Sequence, residues 1–181
     1  MNKKVIFIII FIIILLAGVF LIFFNKPKEE ENEILPEEEI AVSQERKTMV
    51  SLYFRNKINN ELEPEIRLID VKELINNPYT TILELLIEGP KKENLEKLIP
   101  EGTEVLNVKL EGENLILDFS KEFIENQEQD EVKEKQIIES IVKTMTELTE
   151  VDSIKILVEG EENRGFADGK VKFDTNFTRE E

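Results

Sequence analysis

The chain contains no cysteine, no histidine and no tryptophan. Without cysteine there is no disulfide, no thiolate nucleophile and no lipid-bearing cysteine behind an apolar leader. Without histidine the chain lacks the side chain that titrates nearest neutrality, and with it the usual general base and the commonest metal ligand. Triad hydrolases and imidazole-ligated metalloenzymes are therefore poor readings. Positive charge is also scarce: 23 Lys and Arg stand against 39 Asp and Glu, a formal net charge of −16. A phosphate backbone demands a basic footprint, so nucleic acid is not an expected partner. Anionic lipid headgroups would be repelled by the same surface. The acidity favours solubility, and its field would steer a basic protein partner or loosely held cations toward the chain.

What the sequence does have is an uninterrupted apolar run from Val5 to Phe24 with no charged residue. As a helix it rises about 30 Å, the thickness of a bilayer's hydrocarbon core. No small-residue cleavage site follows; Asn25, Lys26, Pro27 and Lys28 come next. Length and flank together predict a retained anchor rather than a removed signal segment. Lys3 and Lys4 nearly balance Lys26 and Lys28, but a long acidic domain behind a single N-terminal anchor translocates largely regardless of its own charge. The expectation is a single-pass protein of the cell membrane with its C-terminal part outside the cytoplasm. Residues 1–4 form a short tail, 5–24 the transmembrane anchor, and 25–46 an acidic stalk with Glu29–Glu31, Glu37–Glu39, Pro27 and Pro36. Residues 47–177 read as one globular domain and 178–181 as an acidic tail. The stalk has too little apolar content to fold and spaces the domain from the lipid.

Within the domain, Val50, Leu52 and Phe54 alternate with Met49, Ser51 and Tyr53, predicting a strand over Thr48–Arg55. Ile66, Leu68, Ile69 and Val71 suggest a second strand after Pro64, hairpin-paired with the first across Asn59-Asn60. Asn77-Pro78 starts a helix carrying Tyr79, Ile82, Leu83 and Leu86 on one face, and Gly89-Pro90 ends it. A turn brings Leu95 and Leu98 inward before Pro100 and Gly102 redirect the chain. Leu106, Val108 and Leu110, then Leu115, Leu117 and Phe119, alternate on either side of Glu111-Gly112-Glu113-Asn114, a hairpin signal. A second long helix is expected from Asp130 to Thr149, with Ile137, Ile138, Ile141, Val142, Met145 and Leu148 as its apolar stripe. Ile154, Ile156 and Val158 form a strand, 160–169 a loop, and Val171 with Phe173 a weaker edge strand. The order ββαββαβ(β) predicts an α+β fold, with one small mixed or antiparallel sheet and two helices on one of its faces.

The punctuation of these elements carries a resemblance. Val50-Ser51-Leu52-Tyr53-Phe54 is followed by Leu85-Leu86-Ile87-Glu88-Gly89-Pro90, then Ile99-Pro100-Glu101-Gly102-Thr103. Leu117-Asp118-Phe119-Ser120-Lys121-Glu122-Phe123 and Ile141-Val142-Lys143-Thr144-Met145-Thr146-Glu147-Leu148 complete the series. Over most of residues 48 to 160 this succession resembles the GerMN domain of bacterial sporulation and germination proteins. The resemblance implies a non-enzymatic extracytoplasmic module, similar to the ring-building motifs of envelope-spanning complexes in spore-forming Gram-positive bacteria. It implies protein partners in the cell envelope, such as ring or channel components, and no cofactor, metal or catalytic residue. The motif positions are Tyr53, Phe54, Leu86, Gly89, Pro90, Pro100, Gly102, Thr103, Asp118, Phe123, Thr144 and Leu148. The chain departs from the family pattern in having one copy of the domain and a helical anchor.

Each motif position also has a structural reason. Gly89 supplies a positive φ where the helix stops, and Pro90 cannot continue it. Pro100 and Gly102 turn the chain, Ser120 caps the turn holding Phe123, and Thr144 is a tolerated helix residue beside the apolar stripe. Asp118 is the one acid inside a strongly apolar strand, and alternation with Leu117 and Phe119 turns it toward solvent. Ala167-Asp168-Gly169-Lys170 is a turn signal that falls short of a calcium loop's repeated oxygen ligands. The hairpin around Gly112 and a sheet edge near Val171 are candidate contact surfaces, because unpaired edges recruit strands. Two functions remain open: an anchored interaction or scaffold domain in sporulation or germination, and an envelope hydrolase or binding protein for wall polymers or peptides. The oligomeric state is open as well.

Overall fold

A computed structural model describes residues 46–166 and 169–179. The expected anchor at 5–24 and the stalk up to residue 45 lie outside them. Among the described residues no helix is long and apolar enough to cross a membrane.

The first hairpin pairs β1 (Lys47–Asn56) with β2 (Leu62–Asp70) antiparallel, in unbroken register from Lys47↔Asp70 to Arg55↔Leu62. Its turn is built by asparagines: the Asn56 side chain accepts from the Ile58 N–H at 2.8 Å, and Asn60 takes a left-handed φ of 62°. Asp70 ends the strand and caps α1 (Val71–Asn76), its carboxylate accepting from the Lys72 N–H at 2.9 Å. Pro78 opens α2 (Pro78–Glu88), which buries Ile82, Leu83 and Leu86 and stops at Gly89. A two-residue strand, β3 (Leu95–Glu96), joins the far edge of β1 at Arg55 and Asn56.

The second hairpin is β4 (Val105–Glu111) with β5 (Asn114–Phe119), turning at Gly112 with φ 65°. A single turn, α3 (Glu122–Glu125), leads to α4 (Glu131–Met145), whose N-cap Asp130 accepts from the N–H groups of Val132 and Lys133. The chain returns as β6 (Ser153–Val158), parallel to β5, and ends in β7 (Phe177–Thr178) against β6. Thr178, assigned from the sequence to the acidic tail, is thus a strand residue paired with Ser153.

The α+β class holds, but the single sheet does not: the strands form two sheets, β2-β1-β3 and β4-β5-β6-β7. The reason lies at the edge of β1. Where another strand would pair with Tyr53, α4 presents two hydroxyls one turn apart. Thr144 Oγ1 accepts from the Tyr53 N–H at 3.1 Å, and Ser140 Oγ donates to the Tyr53 carbonyl at 2.6 Å. Both side chains are buried, so Thr144 has a larger part than that of a tolerated helix residue. The helix satisfies both backbone groups of Tyr53 and takes the place of a neighbouring strand there. The two long helices do not share one face of one sheet: α2 touches β1 and β4, and α4 touches β1, β6 and β7. One apolar core runs through both sheets and both helices.

Three further expectations are corrected. A β-bulge between Val105 and Asn107 shifts the register of β4, so Val105 packs on the core and Leu106 is left exposed. The second long helix ends at Met145, before Thr146 and Thr149, and Leu148 packs on the core from the turn beyond. Val171 and Phe173 form no strand with the sheet. Their backbones bond across their own loop, Phe166 N–H to the Val171 carbonyl and Phe173 N–H to that of Arg164, while both side chains are buried.

Two expected outcomes follow. Gly89 has φ 100° and ψ 177°, a region almost confined to glycine, and a Cβ there would lie 3.3 Å from Lys97 Cβ. Gly89→Val lowers stability by about 1–3 kcal/mol, read as a fall in the urea midpoint at unchanged slope. Thr144→Val leaves the Tyr53 N–H unpaired beside the core and costs about 1–3 kcal/mol, whereas Thr144→Ser retains most of that stability.

Candidate functional site

Glu65 and Arg67 lie two residues apart on β2, and so on the same, inward side of the strand, where 3% and 6% of their surface is exposed. Arg67 Nε donates to Glu65 Oε1 at 2.9 Å and Nη1 to Glu88 Oε2 at 3.2 Å, while Nη2 donates to the Gly89 carbonyl. The guanidinium carbon stands 5.8 Å from the centre of the Phe54 ring, within cation–π range. Glu65 in turn accepts from two backbone N–H groups, Lys91 at 3.0 Å and Lys92 at 2.9 Å. This pair straps the end of α2 and the loop after Gly89 onto β2. Burial alone would raise the Glu65 pKa, but the N–H groups of Lys92 and Lys91, with Arg67 beside them, outweigh it and hold the carboxyl below its ordinary value.

The other side of β2 is set by the same alternation. Ile66 and Leu68 point outward and are 54% and 68% exposed, and Met49, paired with Leu68, is 71% exposed. The backbone of β2 is free on its outer edge over the same residues. Val71 N–H bonds to the Arg46 carbonyl and Asn56 N–H to that of Glu61, so the even-numbered residues of β1 face β2 and the odd-numbered residues of β2 face β1. Ile66 and Leu68 therefore direct N–H and C=O away from the sheet, and no strand among the described residues pairs with them. A groove of about 310 Å³ runs along this edge, lined by Glu65, Ile66, Arg67, Leu68, Lys91 and Lys92. A larger groove, about 370 Å³, separates α4 from the C-terminal segment, but its cations Lys135, Lys143 and Arg179 are each neutralised by a glutamate.

The motif positions fall into separate groups. Tyr53 and Thr144 meet at the open edge of β1, and the Tyr53 hydroxyl donates to Glu147 at 2.9 Å; Leu148 lines a small hollow with Thr144 there. Phe54 lies beneath Arg67, whose far end holds Gly89 just before Pro90, and Leu86 is buried in α2. Pro100, Gly102 and Thr103 form one turn, in which Thr103 Oγ1 donates to the Pro100 carbonyl at 2.8 Å and Gly102 has φ 81°. Ser120 Oγ accepts from the Glu104 N–H and so ties that turn to β5. Asp118 is half-buried and accepts from the Gly160 N–H at 2.9 Å. Phe123 stacks on Phe119 at 4.4 Å, with Phe166 and Phe173 beside it. Each group serves its own turn, edge or packing contact, and among the described residues no group of three or more acids could hold a metal ion. The sequence reading missed Glu65 and Arg67. Their signal was present as alternating charge and apolarity in Glu65-Ile66-Arg67-Leu68, which fits a strand in either orientation.

A family model named Germane, described as sporulation and spore germination, matches residues 51–164. The chain belongs to the Germane family. It is a GerMN domain, a class not known as an enzyme family. Among solved structures it is similar to the first GerMN domain of the sporulation protein GerM from Bacillus subtilis. That match has TM-score 0.61 and 23% identity, covering 73% of this chain and 98% of that one. The tandem GerMN domains of the same protein match with TM-score 0.61 and 22% identity over 74% of this chain, which spans only 46% of theirs. A protein described as a lipoprotein from Clostridium perfringens matches with TM-score 0.52 and 26% identity, over 73% and 87% of the two chains. At such identities the likeness to GerM is one of fold. No curated protein matches the chain.

The strap generates a prediction. Arg67→Met leaves the Glu65 carboxylate buried without its counter-ion and costs about 3–5 kcal/mol, part of which the double change Glu65→Gln/Arg67→Met restores. Because the folded Glu65 pKa lies below the ordinary 4.5, its stabilising contribution is complete above that value and is lost as pH falls through the lower, folded one. Urea midpoints measured from neutral to acid pH fall less steeply in Glu65→Gln.

Proposed function

We propose that this GerMN domain is a non-enzymatic interaction module, held at the cell membrane by residues 5–24 and acting outside the cytoplasm in sporulation or germination. It helps assemble a protein complex of the envelope. The observation that carries this reading is the exposed edge of β2: a nine-residue strand presenting Ile66 and Leu68 together with backbone groups that no strand among the described residues pairs. Such an edge is a template for protein contact, which proteins ordinarily cover or blunt. Family membership supports the sporulation setting, and the apolar run followed by an acidic stalk supports the anchored, translocated arrangement.

The absence of cysteine makes the test specific, since Leu68→Cys introduces the chain's only thiol. In intact cells of a sporulating host, a membrane-impermeant maleimide labels the variant without lysis. A photoactivatable thiol crosslinker at the same site yields adducts with envelope proteins that appear during sporulation. Labelling only after lysis overturns the extracytoplasmic placement, and absence of adducts in both growing and sporulating cells overturns the interaction role.

A further inference from the structure

We infer that the outer edge of β2 receives an extended segment of another protein as an added strand, and that this segment alternates acidic with apolar side chains. The inference rests on the interaction reading above and supplies the chemistry of the partner.

The backbone sets the mode. Between Pro64, which lacks an N–H, and Asp70, whose carboxylate caps α1, the edge offers the N–H and C=O groups of Ile66 and Leu68 in regular register. No bulge interrupts it, and no outward lysine or glutamate stands between those ends. An added strand would bond to these groups directly, the mode in which main-chain hydrogen bonds give affinity and alternate side chains give specificity.

The two faces beside the edge set the sequence. On the outer face stand Met49, Ile66 and Leu68, so partner side chains pointing that way are apolar. On the inner face stand Lys91 and Lys92, both lining the groove, and among the described residues neither ammonium has an ion-pair partner. Glu65, which shares the groove with them, is consumed by Arg67 and by the backbone N–H groups of the two lysines. This leaves two lysines side by side in the groove without a salt bridge among the described residues, in a chain of net charge −16. Successive side chains of a strand point to opposite faces, so the strand that fits reads acid, apolar, acid. A second copy fits poorly, because antiparallel pairing of two β2 edges would bring the lysines of both copies to the same face.

The test uses the full chain in nanodiscs of zwitterionic lipid, with amide hydrogen exchange read at Ile66 and Leu68. The probes are a six-residue peptide alternating glutamate with valine and its lysine counterpart. The glutamate peptide slows exchange at both amides by about tenfold or more while the lysine peptide does not. Exchanging the charge with Lys91→Glu/Lys92→Glu reverses that preference without unfolding the domain, since both side chains are exposed and neither forms a hydrogen bond or ion pair among the described residues. Equal protection by both peptides, or by neither, overturns the proposed chemistry. So does protection that exists before peptide is added and disappears on dilution, marking a second copy, or on deletion of residues 25–45, marking the chain's own stalk. Full competition by polyglycerol phosphate would likewise overturn it in favour of an anionic wall polymer. If the peptides fail while Leu68→Cys still yields sporulation-specific adducts, the partner chemistry is wrong and the interaction role stands.

Discussion

Taking Glu65 and Arg67 out of water carries a desolvation penalty of several kcal/mol per ion, and mutual attraction alone rarely repays it. Here the shortfall is met by neighbours: two backbone N–H groups on the carboxylate, and the Gly89 carbonyl, Glu88 and the Phe54 ring around the guanidinium. The consequence reaches beyond the strap. Strand side chains alternate with a period of two, so placing Glu65 and Arg67 inward forces Ile66 and Leu68 outward. Burying those two side chains instead would have gained about 1.5–3 kcal/mol each. The fold forgoes that gain, and the apolar edge described above is the result.

A second constraint divides the molecule. A sheet grows until something satisfies its edge, and the edge of β1 at Tyr53 is satisfied by hydroxyls on α4 rather than by β4. The core nevertheless stays continuous, because α2 and α4 each contact strands of both sheets. The aromatic cluster of Phe119, Phe123, Phe166 and Phe173 anchors the long return between β6 and β7, where regular pairing is sparse. This arrangement satisfies the edge of β1 from Tyr53 to Asn56 internally, while among the described residues no strand covers the outer edge of β2.

The motif positions shared with the GerMN pattern serve mainly to hold this frame. Gly89 and Pro90 position the carbonyl that Arg67 grips, Thr144 meets Tyr53, and Thr103 closes the turn at Pro100. The surface that carries the functional proposal lies beside them and not on them. The frame and the exposed edge are thus built from different residues, so the edge can change without disturbing the frame.

By itself the sequence determined the class of fold and most element positions, because local signals are strong where they are redundant. Pro78 with Gly89 bounds α2, Asn60 and Gly112 mark the hairpins, and a 3.6-residue stripe marks α4. It also determined the family, through five punctuated segments in order. Only the tertiary structure decided how strands were partnered and which way they faced. The bulge at Val105–Asn107 reversed the expected side of Leu106, and the loop closing on itself removed Val171 and Phe173 from the sheet. Glu65-Ile66-Arg67-Leu68 is compatible with either orientation, and hydrophobicity alone would bury the wrong pair. The choice rests on the Gly89 carbonyl, Glu88 and the N–H groups of Lys91 and Lys92, more than twenty residues away along the chain. Partners at that separation are fixed only when the chain has folded, and so the site was invisible until then.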